Sequence, residues 1–257
     1  MIEATRRDRN RVDTDQQIRT VARSLLVSRG RQGVTLRAIA REMGITAPAL
    51  YRYYESFEDL IQHVCTDICA DLATELTADL AAIPDEDAPG QVFAVCRGFR
   101  AWAIRHPQEF SLVFATPVGG MTGRLPDCPS APDPFGRIFL TVAGRVLATR
   151  QLVVPTDQDV PEKLRADLAE FRGTLFHTLA DAGIDLPEHL FPLGAAYTML
   201  RFWVRLYGQV ALEVFGRFPF PVTDAEPLFE SMVAELAAEV GLTPQAALVH
   251  PTNSSHG

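Results

Sequence analysis

The sequence predicts an all-α protein, with a small three-helix head over residues 1–57 and a larger helical body over 58–257. Three observations carry this. Apolar residues recur at i, i+3, i+4 and i+7 through most of the chain. No stretch shows the period-two alternation of a half-buried strand. Charge is split: residues 1–57 hold eleven Arg against six acids, a net of +5, while the remainder holds thirteen basic residues against twenty-six acids, a net of –13.

Residues 1–13 are polar and Arg-rich (Arg6, Arg7, Arg9, Arg11) and read as an arm outside the first helix. Such an arm either lies along phosphates or the minor groove, or is a solvated terminus. Asp15–Arg29 reads as a helix with Ile18, Val21, Ala22, Leu25 and Leu26 on one face, closed by Gly30. Thr35–Tyr54 then reads as two short helices around a tight turn. Leu36, Ile39, Ala40 and Met43 form the stripe of the first, and Gly44 stops it by taking the left-handed conformation. Thr46 is placed to cap the second, Pro48 falls in its first turn, and Leu50 and Tyr54 face inward. The outer face shows Ala47, Tyr51, Arg52 and Tyr53, with no acid among them. A Gly-containing turn, a small residue at the crossing and a basic-aromatic outer face suit a helix-turn-helix that enters the major groove. An ordinary helical hairpin has the same periodicity. The basic head on an acidic body favours the first reading, being the footprint of a DNA-binding module joined to a domain with another task.

The body continues helical. Ser56 is a plausible N-cap, with Glu58 and Asp59 in the first turn, and the helix runs to about Ala82. It is too long for the head alone and connects it to the body. Ile83–Gly90 is a loop, Gln91–Arg105 a helix, and His106-Pro107 a break before Pro107–Ala115. Thr116–Pro134, with five Pro and three Gly, reads as a long irregular loop. Helices follow at Phe135–Arg150, Pro161–Ala182, Leu190–Gly216 (the most apolar) and Ala225–Val240; Gly183–His189 turns, and the tail from Gly241 is polar.

Several classes of function find no support. No apolar run reaches the ~18–20 residues that cross a bilayer, and the N-terminus has no apolar segment behind its charges, so a cytoplasmic protein without membrane contact is expected. Cys65 and Cys69, one helical turn apart, read as packing, and with Cys96 and Cys128 they make neither a metal site nor a disulfide framework. No Gly-rich phosphate loop, HExxH or GxSxG is present, so an enzyme is not expected, and neither metal nor cofactor.

The segment VTLRAIAREMGITAPALYRYYESFEDLI, Val34–Ile61, resembles the TetR family of bacterial transcriptional regulators, through Thr35, Ile39-Ala40, Gly44-Ile45, Leu50-Tyr51, Tyr54 and Asp59-Leu60 at the family's spacing. The body resembles one C-terminal type of that family through His106-Pro107 with Phe110 and Phe114, and through Trp203, Tyr207-Gly208, Leu212-Glu213 and Gly216. That type usually has His where this chain has Tyr207.

The resemblance implies a helix-turn-helix head over 1–57 and a helical effector-binding and dimerisation domain over 58–257, in a homodimer joined through its last two long helices. Trp203, Tyr207, Gly208, Leu212, Phe229 and Val233 are the expected interface residues. It implies double-stranded operator DNA as a partner, with Thr35, Thr46, Tyr51 and Tyr53 on phosphate, Arg37 on a base or a phosphate, Arg52 beside them, and Ala47, Pro48 and Ala49 near thymine methyls. The family's usual Lys at the start of the fourth helix is here Phe57, so one phosphate contact is missing and the Arg arm is the expected substitute. It also implies a repressor released by a small-molecule effector. Phe99, Trp102, His106, Phe110, Phe114, Phe176, His177, Met199 and Trp203 are the candidate lining, though such a stripe also suits plain core, and a largely apolar effector is expected. The alternative is a DNA-binding regulator with no small-molecule ligand.

Overall fold

The computed structural model describes residues 6–115, 134–149, 152–181, 183–184, 187 and 191–242, with the side chains of 6–9, 134–135 and 148–149 left aside. The expected loop at 116–134, Cys128, most of the turn at 183–189 and the tail beyond 242 therefore lie outside the described residues. Among those described there are ten α-helices and no strand.

Helix α1 (Arg6–Arg29), α2 (Leu36–Met43) and α3 (Ala47–Leu50) form the head. α1 starts nine residues before the expected Asp15, so Arg6–Arg11 belong to a helix and not to a separate arm. Arg, Asp and Asn, with no Pro or Gly among them, let the backbone continue outward from the packed part of the helix. Thr35 caps α2, its hydroxyl accepting from the Ala38 N–H at 3.1 Å. Gly44 follows at φ 67°, ψ 25°. No atom lies near where its Cβ would point, so Gly44→Ala tests conformation alone. Urea unfolding is expected to show a loss of about 1–2 kcal/mol, largely recovered by Asn. Equal stability of all three proteins would refute the assignment.

The second helix is shorter than its periodicity suggests. Tyr53 N–H bonds to Leu50 O at 2.9 Å and Arg52 N–H to Ala49 O at 3.3 Å, tightening the chain into a turn after Leu50. Leu50 and Tyr54 still face inward, both nearly fully buried. Tyr54 donates to Asp15 at 2.5 Å, which ties this turn back to α1. Burial and that carboxylate push the phenol well above its ordinary range.

Helix α4 (Phe57–Leu80) is capped as expected, with Ser56 Oγ accepting from Asp59 N–H at 3.0 Å. At ~1.5 Å per residue it spans ~36 Å. Its inner face (Leu60, Val64, Ile68, Leu72, Leu76) is continuous with both the head core and the body core. The body is completed by α5 (Ala88–Arg105), α6 (Pro107–Phe110), α7 (Pro134–Thr149), α8 (Arg165–Asp181), α9 (Leu193–Val214) and α10 (Glu226–Glu239). α6 runs into a single π turn at Ser111–Ala115. Tyr207 on α9 donates to the Phe114 carbonyl there at 2.9 Å, and burial raises its hydroxyl pKa. α4, α5 and α7 pack together, and α9 crosses α5, α8 and α10. Gly194, at the start of α9, meets the Pro155 carbonyl so closely that a Cβ would sit 1.7 Å from it. Only glycine lets the 152–160 loop close against that helix.

Candidate nucleic-acid interface and body cavity

The head presents one outward face. Thr35, Arg37, Thr46, Pro48, Tyr51 and Arg52 are exposed, Tyr51 by 60%. Ala47, Ala49 and Tyr53 are half-buried and border the head core. Thr46 occupies the N-cap position without the side-chain bond that its sequence suggests, so its hydroxyl is not committed to capping α3. Arg11 is exposed on the outer part of α1, while the side chains of Arg6, Arg7 and Arg9 lie outside those described.

Sequence reasoning missed one residue here. The Arg31 guanidinium lies over the Phe57 ring, 4.9 Å from its centroid. The start of α4 therefore has a cation beside it after all, held by the aromatic ring that stands where a lysine is usual. The pairing joins residues 26 positions apart, so neither shows in local periodicity.

Head and body are joined by charge. Arg23 on α1 binds Asp71 on α4 and Glu109 on α6. Arg19 binds Asp15 at 2.9 Å and Asp67 at 2.8 Å. Glu109 is 2% exposed, and its second oxygen lies 2.6 Å from His106 Nδ1. His106 in turn stacks on Trp102 at 5.4 Å. The sequence signal for Glu109 was an acid inside the apolar Pro107–Ala115 stretch.

The body contains a cavity of about 600 Å³, between α5, α7, α8 and α9, with Val240 and Leu242 also in its lining. Of the nine residues expected to line it, only Met199 and Trp203 do. Phe99, Trp102 and Phe110 are fully buried, and with half-buried Phe114 they form a solid aromatic cluster behind the Trp203 wall. His106 belongs to the Glu109 pair. Phe176 packs edge-on against Phe191, and His177 is exposed, its Nδ1 2.8 Å from the Gly173 carbonyl. The actual walls are mostly aliphatic, from Val95, Val142, Val146 and Leu168. Aromatic character marked dense packing rather than the cavity, because flat rings fill space against one another well. Cys96 is in the wall, but burial pushes its thiol up to about 12, so it stays neutral. No group of three or more metal-ligating side chains occurs among the described residues.

The expected interface residues separate. Phe229 and Val233 are fully buried in the chain's own core, with Arg100 over the Phe229 ring at 5.2 Å. That is a correction: the most apolar face of α10 is already used. Trp203 packs on Tyr207 and Phe99. Leu212 is exposed, and no atom lies within 4 Å of a Cβ built on Gly208. With Leu200 and Val204 these make an exposed apolar stripe along α9, followed by Phe215, whose ring also packs on Phe110 at 5.7 Å, and exposed Leu228 lies on the adjacent α10. Glu213, between Leu212 and that stripe's end, is held bidentately by Arg100 at 2.8 and 2.7 Å.

Residues 18–64 match the model for bacterial regulatory proteins of the tetR family, and residues 92–236 match the tetracyclin repressor-like C-terminal domain. The chain is 28% identical over 233 residues to the HTH-type transcriptional regulator Rv1816 of Mycobacterium tuberculosis, covering 89% of this chain and 92% of that protein. It matches Mb1846 of Mycobacterium bovis to the same extent. The crystal structure of SCO4313 superposes with a TM-score of 0.60 at 27% identity, covering 91% of this chain and all of that one. No described helix is long and apolar enough to cross a membrane.

Proposed function

The chain belongs to the tetR family of bacterial regulatory proteins, and from that premise we propose a repressor that binds a palindromic operator as a homodimer and is released by a small, largely apolar effector. One observation carries the effector half of this reading. The apolar cavity of about 600 Å³ falls within the ~300–1,000 Å³ of small-molecule sites and lies in the domain that contacts the head.

A connected set of contacts leads from that cavity to α1 of the head. Trp203 lines the cavity and stacks on Tyr207. Tyr207 holds the π turn that follows α6, and Glu109 of α6 holds Arg23 of α1. An effector that prefers one arrangement of α6 shifts the population of head positions, and the dimer then no longer spans two major-groove faces one turn apart. The apolar α9 stripe supports pairing with a second copy, since a protein seldom leaves such a face in water. On the DNA, Thr35, Thr46, Tyr51 and Tyr53 position the head on phosphates, with Arg31 supplying a cation near α4. Arg37 reads a base, and Ala47, Pro48 and Ala49 approach thymine methyls.

The test fills the cavity. Ala143 lies in its wall, and Ala143→Phe is expected to leave operator binding within about twofold. It should abolish both the thermal shift given by a compound from an apolar metabolite panel and that compound's release of DNA. A compound that still releases the variant as it does the wild type would place the effector elsewhere; a panel without any hit would favour a regulator with no small ligand. Light scattering at micromolar concentration checks the dimer, and Val204→Glu is expected to produce monomer. A monomeric wild type would sink that part.

A further inference from the structure

Among the described residues the cavity has one charged side chain in its lining, and its position carries information about the ligand. Of the residues around the cavity, Asp167, Thr174 and Leu200 are exposed, while the rest are buried or half-buried. They mark the rim, between α8 and α9. Beneath it the lining has a further hydroxyl at Thr198, which already donates to the Gly194 carbonyl at 2.9 Å, and the thiol of Cys96. Thr174 likewise turns back to its own helix, at 3.4 Å from the Glu170 carbonyl. Asp167 has no ion-pair partner among the described residues. It sits on the cavity face of α8, at i+3 from Leu164 and i–4 from Phe171, both of which line the interior. Among the described residues the site is thus a mostly aliphatic chamber with a single carboxylate at its mouth.

Resting on the effector reading above, we propose that the ligand class is a single-chain aliphatic cation, an alkylamine or alkylammonium, inserted tail first with its head at Asp167. Among the described residues the deep walls are mostly aliphatic with some aromatic rings, and their polar groups include the weakly hydrogen-bonding Cys96 thiol and the Thr198 hydroxyl already bonded to its own helix, which suits a hydrocarbon tail. The head stays at the solvated rim, where it keeps part of its hydration. Asp167 there attracts a cation and repels a carboxylate, so a fatty-acid anion of equal length is disfavoured. Because the carboxylate is exposed, its contribution is modest and salt-sensitive.

Trp203 in the wall supplies the readout, by fluorescence titration of the full-length protein below the critical micelle concentration. Octyl-, decyl- and dodecyltrimethylammonium are expected to tighten by up to about fourfold per methylene until the chamber is full. The dodecyl cation should bind roughly two- to fivefold tighter than dodecanol, and dodecanoate weaker than either. Asp167→Asn should remove the ranking by charge while keeping the chain-length series, and Asp167→Lys should reverse the ranking. Equal affinities for cation, alcohol and carboxylate in the wild type would overturn the head-group assignment and leave the cavity reading standing. Binding of compact aromatic compounds without any chain-length dependence would overturn the aliphatic class. If no chain binds with any head group and Ala143→Phe also changes nothing, the effector reading fails with it.

Discussion

Arg37→Ala is expected to relax sequence preference at one base pair of each half-site, whereas Tyr51→Phe weakens binding to every sequence alike. Arg37 is exposed in the first turn of α2, beside the Thr35 cap, and Tyr51 is exposed just after α3. A guanidinium forks onto the two acceptors of guanine, and losing that contact costs ~1–3 kcal/mol of discrimination per half-site. The proposed symmetric dimer would make the contact twice, so for a variant changed at that base pair in both half-sites the ratio of operator to variant affinity falls by a factor of ten or more. In the proposed reading, Tyr51→Phe removes a charge-assisted hydrogen bond to phosphate, worth about 1.5–3 kcal/mol per half-site, with no sequence dependence. Fluorescence anisotropy on a selected operator and its single-base variants, at one fixed salt concentration, separates the two. Parallel losses across all variants for both substitutions would refute the division of labour and make Arg37 a phosphate contact.

Phe99→Ala is expected to cost about 3–5 kcal/mol of folding stability, the largest loss in the body. The side chain is 0% exposed. Its ring centroid lies 6.0 Å from Phe110, 5.6 Å from Phe114, 6.1 Å from Phe139 and 5.7 Å from Trp203. Four rings cannot collapse into the gap without losing their own contacts, so both the transfer term and the cavity term apply. At ~2–4 °C per kcal/mol for a chain of this size, the melting temperature falls by ~6–20 °C. The measurement needs a fixed protein concentration, because the proposed dimerisation would add to apparent stability. Phe139 and Trp203 also face the body cavity, so the variant enlarges it from behind. A loss below about 1 kcal/mol would mean that this cluster is not the packed wall described above.

The helices were legible because their stripes are local. Thr35, Gly44 and Ser56 sit at the termini their chemistry suits, and the His106-Pro107 break falls where a helix restarts. The family, too, is readable from Val34–Ile61, since those spacings reflect a fixed three-helix packing. Boundaries were less legible. α1 reaches back to Arg6, because a polar helix face has no periodicity to announce it.

The sites divide the same way. Outward residues of the head follow from helical phase alone, so Thr35, Arg37, Tyr51 and Arg52 are exposed where expected. The cavity does not follow from phase. Phe99, Trp102 and Phe110 carry the stripe that a cavity lining would also carry, and only the packing of α4, α5 and α7 shows that those rings fill space while aliphatic residues enclose it. The same holds for Phe229 and Val233, whose helix has apolar positions on two faces, and for Arg31 with Phe57 and Arg23 with Glu109, which pair across long sequence distances. By itself the sequence determined the all-α class, the helix-turn-helix head and the family, because periodicity, caps and spacing are properties of neighbours along the chain. Tertiary structure alone decided what is void, what is core and which charges join head to body, because those depend on which faces meet.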